Sequence, residues 1–203
     1  MSEHYFTASP AGPAEEREHS FVIRGTRHTV TTASGVFSAD RLDKGTQVLL
    51  DRVPDPPESG LLLDLGCGWG PIATIMSLES PNADVWAVDV NSRAVDLTQR
   101  NAQSNGAKGV RALKAEEALT SSQESDTRFD VIWSNPPVRI GKDAMHEMLL
   151  AWLGRLIPTG VAYLVVQRNL GADSLITWLN GQGFQASKYA SKKGFRIIEV
   201  RPA

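Results

Sequence analysis

The segment Leu61-Leu62-Leu63-Asp64-Leu65-Gly66-Cys67-Gly68-Trp69-Gly70-Pro71 decides the fold. Its nearly unbroken apolar start predicts a strand buried on both faces, the pattern of an inner strand in a parallel sheet. Three alternate glycines then let the backbone turn sharply and approach a ligand without Cβ clashes. Pro71 falls in the first turn of the next helix, where a missing N–H is tolerated, and apolar spacing carries that helix to Leu78. In an open α/β sheet such a turn lies beyond the C-terminal end of its strand, where ligands bind.

Downstream, the pattern alternates. Asp84–Asp89 predicts a strand, and Ser92 can cap a helix running to about Ser104, with Gly106 just beyond it. Val110–Leu113 and Phe129–Trp133 predict two further strands, with residues 120–127 between them as a polar, low-complexity loop. A helix over Asp143–Leu156 closed by Pro158, a strand over Gly160–Val166 and a short helix over Ser174–Leu179 follow. Phe184–Tyr189 and Phe195–Val200 are close enough to pair as a hairpin. Strands alternating with helices imply a doubly wound α/β fold, a mostly parallel sheet with helices on both faces. Upstream, residues 1–19 read as a polar arm. Phe21–Arg24 and His28–Thr32 flank Gly25-Thr26 as a hairpin, and Asp43–Val53 has helical spacing ended by Pro54, Pro56 and Pro57. That proline cluster divides an N-terminal extension, 1–58, expected to pack on the main domain, from the domain itself, 59–203.

The chain has 203 residues and a net charge of −2. This size fits one domain, and the charge excludes a whole-protein basic field, so any nucleic-acid contact needs a local patch. The single cysteine, Cys67, leaves no internal disulfide and fits a reducing compartment. The N-terminus lacks the apolar stretch of a signal peptide, and no run reaches the ~18 apolar residues of a membrane span. A soluble, cytoplasmic protein is expected. No His/Cys/Asp cluster has metal-ligand spacing, so no metal is expected.

The glycine turn reads G-x-G-x-G with Pro71 after it, whereas a dinucleotide fingerprint needs G-x-G-x-x-G. This favours a cofactor without a phosphate, held through its amino-acid part. Asp89, ending the next strand, can accept both hydroxyls of a ribose. The plainer alternative is a tight turn with Asp89 capping a helix. Cys67 reads as a small packing residue and not as a nucleophile.

Ser134-Asn135-Pro136-Pro137 follows another strand and opens on the same sheet edge. An exocyclic amine on a base is a poor nucleophile because its lone pair is delocalised. Hydrogen bonds from the NH2 to the Asn135 side-chain oxygen and the Pro136 carbonyl can localise that pair for attack on a sulfonium methyl. The two prolines stiffen the loop. A simple strand-to-helix turn is the alternative.

With both loops in hand, the chain resembles class I S-adenosylmethionine-dependent methyltransferases with an N-P-P motif. It is most similar to the small-subunit ribosomal RNA guanine-N2 methyltransferases and their single-domain relatives. The resemblance rests on His4-Tyr5-Phe6-Thr7, Ser34-Gly35-Val36-Phe37-Ser38, Asp43-Lys44-Gly45-Thr46, the Asp64–Gly70 loop, and Ser134–Pro137 with Arg139-Ile140-Gly141-Lys142. It implies a seven-stranded Rossmann-like sheet ending in an antiparallel hairpin. It implies S-adenosylmethionine bound by Asp64, Gly66, Cys67, Gly68, Gly70, Asp89, Asn91, Asp43, Thr46 and Asn135. Asn135, Pro136 and Pro137 become catalytic, and Phe37, Val138, Arg139 and Lys142 substrate-binding, with ribosomal RNA or the small subunit as partner and a monomer favoured. Two departures stand out. Val138 occupies the place where many relatives carry a ring that stacks on the base, leaving Phe37 to substitute. The extra methyltransferase half of two-domain members is replaced by some 58 residues.

Arg17, Arg24, Arg27, His28, Arg139 and Lys142 could form a basic rim, and Lys188, Lys192, Lys193 and Arg196 a second cluster. Adenine-N6 or protein glutamine-amide methylation fits the same loop. An NAD-dependent oxidoreductase is disfavoured by Pro71, and a non-catalytic RNA-binding module by the intact Asp64, Asp89 and Asn135.

Overall fold

The computed structural model describes residues 13–203. The His4–Thr7 motif lies outside them. A two-stranded antiparallel sheet, β1 (Glu16–Ile23) and β2 (Thr26–Ala33), comes first, followed by a short helix, α1 (Lys44–Leu50). The alternating part then runs β3 (Ser59–Leu65), α2 (Pro71–Glu79), β4 (Asn82–Asp89), α3 (Ser92–Ser104), β5 (Val110–Lys114), α4 (Ala115–Glu124), β6 (Phe129–Ser134), α5 (Lys142–Leu153), β7 (Leu156–Gln167), α6 (Ala172–Gly181), β8 (Gln185–Lys192) and β9 (Phe195–Arg201). The main sheet has seven strands in the order β5-β4-β3-β6-β7-β9-β8. It is parallel except where β9 pairs with β7 and β8. This is the doubly wound, Rossmann-like sheet with a terminal antiparallel hairpin expected above.

The leucine run does what its pattern requires. Leu62 joins one core layer with Val85, Trp133, Val165, Leu49 and Met76, while Leu63 joins the opposite layer with Ile132, Leu164, Leu149 and Leu153. Successive strand side chains point to opposite faces, so only a helix-covered sheet buries both. Each fully buried leucine contributes about 1.5–3 kcal/mol. β3 and β6 are parallel, but the order in which strands are added to the sheet reverses between them, and this switch point is where an open α/β sheet forms its ligand crevice.

The structure corrects several sequence expectations. Residues 120–127 are not a plain loop: most belong to α4, which buries only Ala118 and Ser122. The α3 N-cap is Asn91, whose side chain accepts from the Arg93 N–H, and not Ser92. Residues 16–19 lie in β1 and not in a loose arm. α5 ends at Leu153, and β7 starts before Pro158. Between Phe129↔Leu156 and Val131↔Val161 the β6–β7 register shifts, so Pro158 sits in a bulge where its missing N–H breaks no ladder bond.

The N-terminal hairpin is tied into the core. Its turn residues Arg24 and Gly25 both have positive φ, as a type I′ connection requires. The Arg24 guanidinium donates to the Leu50 and Val53 carbonyls, pairs with Asp55 and Glu79, and lies over the Trp133 ring. Asn101 of α3 accepts from the Thr31 N–H and donates to the Thr31 and Trp69 carbonyls, linking hairpin, helix and glycine turn.

Candidate active site

Two loops leave the C-terminal ends of β3 and β6 at the same level, because Leu65 pairs with Ser134 and the Ser134 hydroxyl donates to the Leu65 carbonyl at 2.6 Å. In the first loop, the Gly66 and Cys67 N–H groups both donate to the Val88 carbonyl, and the Gly68 N–H donates to Asp89 Oδ2 at 3.0 Å. Gly66 and Gly68 have φ of 82° and 58°, a region that side chains disfavour. A Cβ built on either would meet no atom within 4 Å, so these glycines border open space that a side chain would fill. Asp89 Oδ1 accepts from the Asn91 N–H, which holds the carboxylate at the rim of this cradle.

In the second loop, Asn135 Nδ2 donates to Asp43 Oδ2 at 2.9 Å and to Thr46 Oγ1 at 3.1 Å. The Pro136 carbonyl accepts from the Val138 N–H at 2.9 Å, leaving one lone pair. The cavity between the loops is lined by Gly66, Cys67, Gly68, Trp69, Pro71 and Ile72 on one side, and by Phe37, Ser38, Asp43, Thr46 and Asn135 on the other.

A family model, the methyltransferase small domain, matches residues 27–199. The chain belongs to the methyltransferase small-domain family. Uncharacterized protein YbxB of Bacillus subtilis is 34% identical over 201 residues, spanning 99% of each chain. Ribosomal RNA small subunit methyltransferase C of Salmonella typhi is 36% identical over 181 residues, 86% of this chain and 51% of that protein. The solved T. thermophilus 16S rRNA N2 G1207 methyltransferase (RsmC), in complex with AdoMet and guanosine, superposes with a TM-score of 0.76 at 25% identity, covering 94% of this chain and 52% of that one. The chain therefore spans about half the length of the named rRNA methyltransferases it matches.

In this methyltransferase domain the expected site residues divide into groups. Asp43, Thr46, Gly66, Cys67, Gly68, Asn135 and Phe37 line the cavity. Phe37 is 41% exposed where it lines the cavity. Gly70, Asp89 and Asn91 are not among the residues that line it, although Asp89 borders the cradle through Gly68. Asn91 donates to the Gly35 carbonyl and accepts from Arg93. Val138 packs on the α5 side of the core, while Arg139 and Lys142 are exposed just past the loop after β6. Trp69, Pro71, Ile72 and Ser38 were not anticipated as lining. The Trp69 indole N–H donates to the Ser38 carbonyl at 3.3 Å, a contact between distant segments that no local pattern encodes.

The basic rim is smaller than expected. His28 is buried, Arg24 is consumed in the core network, and Arg17 pairs with Asp40. In the second cluster, Arg196 pairs with Asp173 and Lys192 with Asp51. Among the described residues no group of three or more His, Cys, Asp or Glu side chains is placed to hold a metal, and no helix is long and apolar enough to cross a membrane.

Asp64 is 0% exposed and does not reach the cavity. Its Oδ2 accepts from the Ala73 N–H at 2.9 Å, and Oδ1 has no partner among the described residues. Burial pushes its carboxyl up to about 8, opposed by the Ala73 hydrogen bond and reinforced by the Asp89 charge. Burial also raises the Asp89 carboxyl, against hydrogen bonds from the Asn91 and Gly68 N–H groups. It drives the Cys67 thiol well upward, which leaves Cys67 a poor thiolate nucleophile.

A raised folded-state value means that the fold favours protonated Asp64. Its contribution to stability is full below the ordinary value of 3.8 and is lost as pH rises through about 8. Asp64→Asn should therefore melt at a higher temperature than the parent above pH 8, with the difference shrinking toward pH 4. Parallel melting curves over the pH range would contradict this.

Proposed function

We propose that this chain methylates an exocyclic amino group of a nucleic-acid base, with guanine N2 of 16S ribosomal RNA as the target. The observation that carries the reading is the state of the Asn135 amide. Its nitrogen is committed to Asp43 and Thr46, so Oδ1 is the atom available to accept from a substrate NH2 beside the glycine cradle. S-adenosylmethionine supplies a methyl group on a cationic sulfur. The open cradle at Gly66 and Gly68 fits its amino-acid part, and the Asp89 carboxylate suits a ribose.

Asn135 Oδ1 and the free lone pair of the Pro136 carbonyl each accept one amine N–H, which turns the nitrogen lone pair toward the methyl carbon. The new N–C bond forms as the C–S bond breaks, and the nitrogen then sheds a proton to solvent. Positioning and electrostatics supply the acceleration, with no strong base needed. Phe37, an aromatic residue that lines the cavity, takes the place of the stacking ring that Val138 does not supply.

An RNA partner is supported by charge placement. Arg41, Lys44, Arg139, Lys142, Arg168 and Lys193 are exposed and form no ion pair among the described residues. Lys44 and Lys142 open α1 and α5, Arg139 and Arg168 lie in the turns after β6 and β7, and Lys193 lies in the β8–β9 turn. The Arg168 N–H donates to the Gly194 carbonyl, bringing the β8–β9 turn beside the end of β7. A cytoplasmic setting goes with a ribosomal target. The AdoMet and guanosine in the T. thermophilus structure favour guanine within this class.

Methyl transfer to small ribosomal subunits, naked RNA and DNA, followed by nucleoside mass spectrometry, tests the reading. N2-methylguanosine is the expected product. N6-methyladenosine, or activity on DNA alone, would overturn the guanine assignment. The double variant Arg139→Ala/Lys142→Ala should weaken RNA binding several-fold and reduce its salt slope by about one per lost phosphate contact, with cofactor affinity unchanged. An unaltered salt slope would remove these residues from the interface.

A further inference from the structure

Asn135 is held by two residues that sit far from it in sequence, and the geometry points to a role for them beyond helix capping. Asp43 is the N-cap of α1, and its Oδ2 accepts from the Gly45 and Thr46 N–H groups at 2.7 and 3.0 Å. The same oxygen takes the Asn135 amide, and Thr46 Oγ1 takes it as well. A carboxylate oxygen only accepts, so the amide atom facing Asp43 has to be nitrogen. The orientation of the Asn135 amide is thus dictated by chemistry.

Gly45 supplies an independent observation. It is helical, where glycine is less stable than alanine, and no positive φ calls for it. A Cβ there would lie 2.9 Å from Asp43 Oδ2, 3.1 Å from Phe195 Cε1 and 3.4 Å from Asn135 Nδ2. Glycine is needed because the contact between Asp43 and Asn135 fills the space its side chain would take.

We infer that Asp43 and Thr46 form a positioning clamp, with Gly45 keeping its space clear, that locks the Asn135 amide with Oδ1 turned to the substrate amine. This rests on the reading of Asn135 given above. The clamp acts in three ways. It removes the flipped amide, which would present N–H groups to an N–H donor. It restricts the side-chain rotamers. It also places a negative charge behind the amide, which polarises Oδ1 and favours the nitrogen as it becomes cationic.

The test compares Asp43→Ser, Asp43→Asn, Thr46→Val and Gly45→Ala, alone and on an Asn135→Ala background. Serine still caps a helix, but its shorter side chain withdraws the oxygen from Asn135. Asparagine keeps an acceptor in place. Asp43→Ser should lower kcat at least about tenfold, the scale of a positioning loss, with little change in KM for S-adenosylmethionine or in melting temperature. Asp43→Asn should recover much of that loss, and Gly45→Ala should resemble Asp43→Ser. On the Asn135→Ala background, Asp43→Ser should cause no further loss.

Nuclear magnetic resonance of the Asn135 side-chain NH2, assigned by its disappearance in Asn135→Ala, gives a readout that needs no substrate. Its signals should lose protection from exchange in Asp43→Ser/Thr46→Val. Unchanged signals, full kcat in Asp43→Ser, or an equal loss with and without Asn135 would overturn the clamp. Full turnover in Asn135→Ala alone would instead overturn the underlying reading, and the clamp's catalytic role with it.

Discussion

Replacing Asn135 with alanine is expected to lower methyl transfer by about 10²–10³-fold, the usual cost of losing one preorganised polar group at a reacting centre. Affinity for S-adenosylmethionine should change little, because the glycine cradle and Asp89 do not depend on the amide. The fold should survive as well. Asp43 Oδ2 keeps its bonds from Gly45 and Thr46 in the absence of Asn135, so the start of α1 remains capped. Single-turnover methyl transfer and calorimetric titration with the cofactor, run on the same preparation, separate the two quantities. If turnover were undiminished, the loop after β6 would not be the reaction centre. If affinity fell with turnover, Asn135 would belong to the cofactor's contacts more than to the amine's.

Asp89→Ala should weaken S-adenosylmethionine binding by about 100-fold or more, on the scale of losing a hydrogen-bonded charged partner. The carboxylate accepts from Gly68 with one oxygen and from Asn91 with the other. Its removal orphans both N–H groups, loosens the turn that forms the cradle, and deletes the acceptor proposed for the ribose. Asp89→Asn should be nearly as harmful. One of its two polar atoms becomes a donor, while both facing backbone groups already donate, so one contact turns repulsive. Near-normal cofactor affinity in Asp89→Asn would remove the ribose role and leave Asp89 as a loop support. kcat at saturating cofactor should fall far less than in Asn135→Ala, which distinguishes the roles of the two sites.

The parts of the fold that follow from short-range rules were legible in the chain. Leu61–Leu65 could be buried on both faces only in a helix-covered sheet, and the three glycines after it could only be a turn. The final hairpin and the N-terminal one followed from spacing, although the turn expected at Gly25-Thr26 lies at Arg24-Gly25. What failed were elements whose signal is not local. α4 buries too little to leave an apolar stripe. Pro158 looked like a helix stop because nothing nearby shows that a bulge absorbs it. In the site, neither the acid at a strand end nor the amide before two prolines was decisive alone; the two loops stood out because both follow strands that open on one sheet edge. The contacts of Trp69 with Ser38 and of Asn135 with Asp43 join residues 31 and 92 positions apart. They exist only once the sheet has brought its strand ends together. For the basic rim, counting charges could not distinguish Arg24, spent inside the core, from Arg139, exposed at the mouth.

The loop carrying Phe37 has a consequence for how the two ligands meet. Its backbone is held at Gly35 by Asn91, at Ser34 by Arg93 and at Ser38 by Trp69. These three bonds come from the glycine turn or from the start of α3, none of them from the loop after β6, and Ser34 is also tied to Glu15. If the cofactor fills the cradle and the base meets this loop, as proposed, any shift of the cradle would reach the loop through these bonds. Linkage makes such coupling reciprocal: whatever factor the cofactor adds to RNA affinity, RNA adds to cofactor affinity. On that reading residues 34–38 would carry the coupling, so the order in which the two ligands bind and leave would depend on a segment outside both loops.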